Sequence, residues 1–272
     1  VPNYHEGYTT DDNARALMVS TLLEELGNGE ALELASRYLA FVWYAFNAET
    51  GRFRNFMDYQ RHWLEDSGSD DSYGRALWAL GTVLGRSNTP ALHSMAGWLF
   101  EQALPAILDT TSPRGWAFSL IGIHEYLQRF AGDRMASQVR EELAGRLLAL
   151  YQRNRSDEWR WYEEGLTYCN AALPHALLMC GQSIPNNAMT EAGLESLSWL
   201  ADLQRAEEAG GHFVPIGSNG FYQRGGKRAR FDQQPVEAQA MVSACLEAAR
   251  ITGDKRWRKE ARRAFEWFLG RN

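Results

Sequence analysis

The sequence predicts an all-α fold, an (α/α) toroid of helical hairpins, and three observations carry that expectation. Nearly all-apolar helical stretches alternate with amphipathic ones. Each apolar stretch opens on an acidic or capped turn, and the pair recurs loosely from one end of the chain to the other. A helix that is apolar on every side has to be buried, whereas one with a single polar face lies at a surface. The repeat therefore reads as inner helices paired with outer ones.

The first inner helix follows Tyr8-Thr9-Thr10-Asp11-Asp12 and runs from Ala14 to Leu26, where Gly27-Asn28-Gly29 ends it. Its partner, Glu30 to Phe46, has Glu30, Glu33 and Arg37 on one side and Leu34, Tyr38, Phe41 and Val42 on another. A second inner helix follows Ser69-Asp70-Asp71-Ser72-Tyr73-Gly74-Arg75 and holds Ala76 to Leu80, with an outer helix around Ala91 to Leu108. The third opens at Ser112-Pro113-Arg114-Gly115-Trp116, Ser112 capping and Pro113 in the first turn, and pairs with Asp133 to Tyr151. The fourth follows Trp161-Tyr162-Glu163-Glu164 and contains Tyr168 to Leu178, with a partner near Glu191 to Glu208. The fifth follows Phe231-Asp232-Gln233-Gln234-Pro235 and holds Ala238 to Ala249, with Asp254 to Leu269 outside it.

Two long connections, about Asn47 to Gly68 and Gly210 to Gln234, lead into inner helices, and long loops in helical domains tend to carry function. Short strands are expected at Gly51 to Tyr59 and Gly211 to Tyr222. In a ring of hairpins all inner helices run the same way, so their acidic openings should gather at one rim. Five hairpins are visible where six or seven close a ring. Either a last hairpin lies beyond this chain or the ring is open.

With 272 residues, 45% hydrophobic and 23% charged, residues 1–272 suit one large core and are short for two, so a single domain is expected. No run of eighteen apolar residues spans a membrane, and no basic-then-apolar leader directs export. The net charge is −6, and apart from Lys227-Arg228-Ala229-Arg230 and the final helix the basic residues are scattered, which argues against nucleic acid as a partner. Cys169, Cys180 and Cys245 lack CxxC spacing and sit in apolar stretches, so they read as reduced core residues and favour a cytoplasmic setting. The six histidines are single, without HxxxH or HxH pairs, so no metal and no cofactor is expected.

The recurrent chemical signal is a carboxylate where an inner helix begins: Asp11 and Asp12, Asp70 and Asp71, Glu163 and Glu164, Asp232. Helix capping alone explains any one of them, since an acid in a first turn contributes roughly 0.3–1 kcal/mol and Thr9-x-x-Asp12 has capping-box spacing. Asp11 with Arg15 and Asp71 with Arg75 are i,i+4 pairs that also fit ordinary helix contacts. As a set they suggest more. Adjacent acids beside a core carry an electrostatic cost that Ser or Thr caps avoid. Aromatics also flank each acidic opening: Tyr8; Trp63 and Tyr73; Trp159, Trp161, Tyr162 and Tyr168; Phe221, Tyr222 and Phe231. Carboxylates bind hydroxyls and flat rings stack on sugar faces, so the mixture suits a carbohydrate, and paired carboxylates suit glycosidic-bond chemistry. Trp43, Trp78, Trp98, Trp199, Trp257 and Trp267 read as core, while Trp116 and Trp161 read as lining the site.

The hairpin pattern resembles the six-hairpin glycosidase superfamily. Four blocks are more specific: Gly7 to Leu17 (GYTTDDNARAL), Asp71 to Gly81 (DSYGRALWALG), Leu166 to Pro174 (LTYCNAALP) and Asp232 to Ala238 (DQQPVEA). They resemble the (α/α)-barrel domain associated with bacterial glycosyltransferases. The resemblance implies sugar processing, with a glycosyltransferase module as a partner; a nucleotide-binding Gly-rich loop is absent from the chain itself. The candidates are then Asp12, Asp71, Glu164 and Asp232 for catalysis. Tyr8, Asp11, Asn13, Asp70, Arg75, Trp116, Trp161, Tyr168, Asn170, Gln233 and Gln234 are those for binding an oligosaccharide or glycoside. The leading expectation is a glycoside hydrolase. A non-catalytic sugar-binding or docking module is the alternative, as is a sugar epimerase with His5 or His175 as base. An isoprenoid cyclase ranks lowest, because neither DDxxD nor DxDD is present.

Overall fold

The computed structural model describes residues 7–206 and 211–271. They fall into two compact units, and the division between Leu143 and Ala144 lies inside a single helix. No described helix is long and apolar enough to cross a membrane.

In the first unit, strand β1 (Tyr8–Thr9) leads into α1 (Thr10–Glu25), followed by α2 (Ala31–Ala45). Strands β2 (Phe46–Asn47), β3 (Arg52–Phe53) and β4 (Phe56–Met57) occupy the first long connection. Then come α3 (Asp70–Arg86), α4 (Pro90–Ala103) with a 3-10 extension over Leu104–Asp109, α5 (Pro113–Arg129) and the start of α6 (Arg134–Asn154). Strand β2 pairs with β3 in a hairpin, while β4 reaches back to β1 with Tyr8 opposite Met57. Thr9 and Ser112, both read as caps from sequence, and also Ser69 each accept a backbone N–H of their own first turn, and Pro113 sits where no N–H is needed.

Helix α3 packs on both α1 and α5, with α4 outside it, and both α3 and α5 are buried along most of their length. Leu17, Leu39, Phe53, Tyr73, Leu77, Leu80, Leu99, Phe100 and Phe118 form the centre of this unit. Glycines let α3 and α5 touch backbone to backbone: Gly74 faces Gly115, and Gly81 faces Gly122. Helix α1 departs from expectation. It buries Ala14, Leu17 and Thr21 against α2 and α3 but leaves Val19, Leu22 and Leu23 exposed, because among the described residues of this unit only those two helices pack extensively on it.

The second unit holds the rest of α6, then β5 (Gly165–Leu166), α7 (Ala172–Ser183), α8 (Asn187–Leu203), β6 (Tyr222–Gln223), α9 (Pro235–Thr252) and α10 (Lys255–Phe268). Helix α9 packs on α7, α8 and α10, around Leu173, Leu177, Leu197, Leu200, Met241 and Ala244. Gly253 closes α9 in the left-handed conformation (φ 70°), and Asp254 caps α10. Cys169, Cys180 and Cys245 are buried thiols, and burial pushes that of Cys245 up. Helix α7 begins four residues later than the sequence pattern suggests. Cys169 has φ 50°, a backbone state no right-handed helix admits.

Candidate active site

In the first unit the starts of α1, α3 and α5 are bound to one another through their acids. The Asp11 carboxylate lies between Arg15, at 2.5 Å, and the guanidinium of Arg75. Arg75 is only 3% exposed and stacks over Phe118 at 4.2 Å. A guanidinium taken that far from water needs a counter-charge, and Asp11 supplies it, joining α1 to α3. The Asp11 backbone N–H also donates to Asn55 Oδ1 at 3.0 Å. Beside it, Asp12 and the N-cap Thr9 bond each other: the Asp12 N–H donates to Thr9 Oγ1 at 3.0 Å, and that hydroxyl donates to Asp12 Oδ2 at 2.8 Å. The Asp12 side chain is 73% exposed, with Arg15 no closer than 3.9 Å. Asn13 Nδ2 donates to the Thr9 carbonyl at 2.7 Å, and the half-exposed Tyr8 packs its ring on Tyr59 with centroids 4.8 Å apart.

The second doublet divides in the same way. Asp70 accepts from Arg52 Nη2 at 2.7 Å and from the backbone N–H groups of Thr111 and Ser112, at 2.8 and 3.2 Å. Burial alone would raise this carboxyl, but the Arg52 hydrogen bond and the two backbone donors outweigh it and hold its pKa below the usual carboxylate value of 3.8. Asp71 accepts a hydrogen bond from Ser112 Oγ, the cap of α5, and Trp116 one turn later donates its Nε1–H to the Thr110 carbonyl at 3.0 Å. In each doublet, then, the first acid is ion-paired with an arginine of another segment. The second accepts a hydroxyl hydrogen bond from a helix cap.

Because its native pKa is depressed, ionised Asp70 contributes stability that is complete above the ordinary carboxylate range and is lost as pH falls through the lowered value. Asp70→Asn should therefore lower the urea midpoint near neutral pH and approach the parent protein once the pH is below that lowered value. Equal losses at both pH values would contradict this.

In the second unit the acids singled out from sequence, Glu163, Glu164 and Asp232, occupy loops and not first turns. Glu164 stands just before β5, 68% exposed, with Arg224 Nη1 at 3.3 Å. The Arg224 N–H donates to the Glu164 carbonyl at 2.9 Å, extending the pairing of Gly165 with Gln223. Asp232 lies three residues ahead of α9 at φ 58°, exposed, and its carbonyl accepts from Ser218 N–H and Oγ. Gln233 Oε1 accepts from Trp267 Nε1 at 2.8 Å, and Gln234 is the exposed residue at the N-cap of α9. Trp161 is fully buried, stacked on Trp199 at 6.0 Å and edge-on to Tyr162 at 5.1 Å. Tyr168 is half-buried in the turn before α7, and the half-buried His175 lies in the first turn of that helix. His5 lies outside the described residues.

Asn170 and a residue not singled out from sequence, Glu237, are the best-connected polar groups here. Glu237 is 1% exposed and accepts from Asn170 N–H at 3.1 Å, Asn170 Nδ2 at 2.8 Å and Gln204 Nε2 at 2.7 Å. These bonds join the starts of α7 and α9 and the end of α8. The sequence does carry a signal for Glu237, an acid in the first turn of a buried helix behind Pro235, but the neighbouring Asp232 masks it.

No protein-family model matches the chain, and no curated protein matches it in sequence. Solved structures do. A sugar epimerase from a ruminal bacterium matches over 96% of this chain and 75% of its own, with a TM-score of 0.72 and 13% identity. Cellobiose 2-epimerase from Bacillus thermoamylovorans matches over 96% and 76%, with a TM-score of 0.72 and 12% identity. The cellulase Cel9M of C. cellulolyticium, solved with cellobiose, matches over 98% and 66%, with a TM-score of 0.64 and 12% identity. Taken with the alternation of buried and outer helices, these likenesses give the chain an (α/α)-toroid fold.

Proposed function

We propose that the chain is a carbohydrate-active enzyme, a glycoside hydrolase whose acid, base or nucleophile is drawn from Asp12, Asp71, Glu164 and Asp232. The observation that supports this is the hydroxyl neighbour of the second acid in each doublet. Asp11 and Asp70 accept from the guanidinium groups of Arg75 and Arg52, which only donate. Asp12 and Asp71 face the hydroxyls of Thr9 and Ser112, which donate to a carboxylate or rotate to accept from a carboxylic acid. A group that gives and takes a proton needs the second kind of neighbour. Tyr8, Asn13, Arg75, Trp116, Trp161, Tyr168, Asn170, Gln233 and Gln234, together with Asp11 and Asp70, are the candidates for holding the sugar and its surroundings in place. A cytoplasmic setting and service to a glycosyltransferase module belong to the same reading.

A second reading, a sugar epimerase, is favoured by the position of His175 in the first turn of α7 and by the epimerases among the structures of like fold. One experiment separates the two. The protein is incubated in D2O with aryl glycosides and with manno- and gluco-oligosaccharides, with and without phosphate, and products are followed by NMR. New reducing ends or sugar phosphates without carbon-bound deuterium are expected for bond cleavage. Deuterium beside the carbonyl carbon, with no cleavage, would replace the hydrolase by the epimerase. Saturable binding with neither product would leave a sugar-binding or docking module.

A further inference from the structure

Helix α7 starts without a capping side chain, since Ala171 occupies its N-cap. The turn that delivers the chain to it is instead wound by Asn170, whose Oδ1 accepts from Thr167 N–H at 3.1 Å and whose Nδ2 donates to the Thr167 carbonyl at 3.2 Å. Between them Cys169 takes φ 50°, a left-handed state that a residue with a Cβ adopts at a cost. Such a conformation persists only where its surroundings over-determine it. One surrounding group with the means to do so is Glu237: its buried carboxylate takes the Asn170 backbone N–H on one oxygen and Asn170 Nδ2 together with Gln204 Nε2 on the other. Bonds from N–H groups to an ionised acceptor are about twice as strong as neutral ones, and Gln204 fixes the carboxylate from the end of α8.

We infer that Glu237 is a positioning residue, the group that holds the Thr167–Asn170 turn in its strained form and thereby sets how Tyr168 and Asn170 meet a sugar. The assignment of those two residues to sugar binding rests on the proposed function. The hold of Glu237 on the turn does not, so the two are tested by different readouts.

Glu237→Gln keeps the size of the side chain but turns an NH2 toward one of its donors. With the amide oxygen left to Asn170 Nδ2 and Gln204, the Asn170 backbone N–H faces another N–H. Amide hydrogen exchange at Asn170, taken relative to Leu177 in the core of α7, should be at least about tenfold faster than in the parent protein. Adding Cys169→Gly removes the Cβ cost of the left-handed state and should recover several-fold of that protection. Unchanged relative exchange at Asn170 in Glu237→Gln would overturn the inference. If Glu237→Gln does not fold, Cys169→Gly alone decides: slower relative exchange at Asn170 supports a strained turn, and no change refutes it. In activity assays Glu237→Gln should raise KM by about tenfold with a smaller change in kcat. A changed exchange pattern in a protein that turns over no sugar would leave the positioning intact and remove the enzyme reading.

Discussion

Gly122→Leu is expected to prevent the first unit from folding, and Gly122→Ala to cost about 3 kcal/mol or more in urea unfolding. Even the single carbon of alanine at Gly122 would lie 2.6 Å from the Leu77 carbonyl oxygen and 2.6 Å from Trp78 Cα. Both are backbone atoms of α3, so no side chain is able to rotate away. Relief requires α3 and α5 to part, and these two helices carry Leu77, Leu80, Phe118 and Ile121 into the core. Domains are stable by only about 5–15 kcal/mol, so a leucine exceeds what the contact tolerates. Gly145→Ala on α6 supplies the control. Nothing lies within 4 Å of a Cβ there, and the substitution should stabilise by about 0.5–1 kcal/mol through helix propensity. Circular dichroism against urea reads both. A Gly122→Leu protein with the parent midpoint would refute the backbone contact.

Asp71→Asn should reduce turnover of any glycoside accepted by the parent protein by about 10³-fold while shifting Tm by less than about 2 °C. The amide oxygen that replaces the carboxylate still accepts from Ser112 Oγ, so that hydrogen bond between the starts of α3 and α5 survives, whereas the ability to give or take a proton is lost. Asp11→Asn should behave in the opposite way. It leaves the buried Arg75 without its counter-charge, at a cost of about 3 kcal/mol, and stability falls along with any change in rate. Full activity in Asp71→Asn, or a collapse of its Tm, would assign Asp71 to capping and remove it from the chemistry. The same pair of measurements on Asp12→Asn tests the first doublet, where capping is a stronger competing role because Thr9 and Asp12 bond each other.

The helices were legible because their causes are local. Thr9 and Ser112 cap where the sequence places a hydroxyl, and Pro113 opens α5. The exceptions are also local in appearance but not in origin. Glu163 and Glu164 look like the first turn of α7, yet the turn at Cys169 separates them from it, and what holds that turn is a carboxylate 67 residues farther on. The apolar run of α1 looks buried on every side, and the exposure of Val19 and Leu22 depends on which helices reach it.

The sequence by itself determined the alternation of inner and outer helices, the caps that start them and the acidic doublets at their openings, since each follows from residues within a turn or two of one another. Only the tertiary structure decided which groups of other segments meet these acids. Asp11 is paired by Arg75 of another helix, Asp70 by Arg52 of a strand, Asp71 by the cap of α5, and Asn170 by Glu237. A carboxylate's role depends on the donors within about 3 Å of it, and in these four cases the donor and the acceptor come together only when separate segments pack.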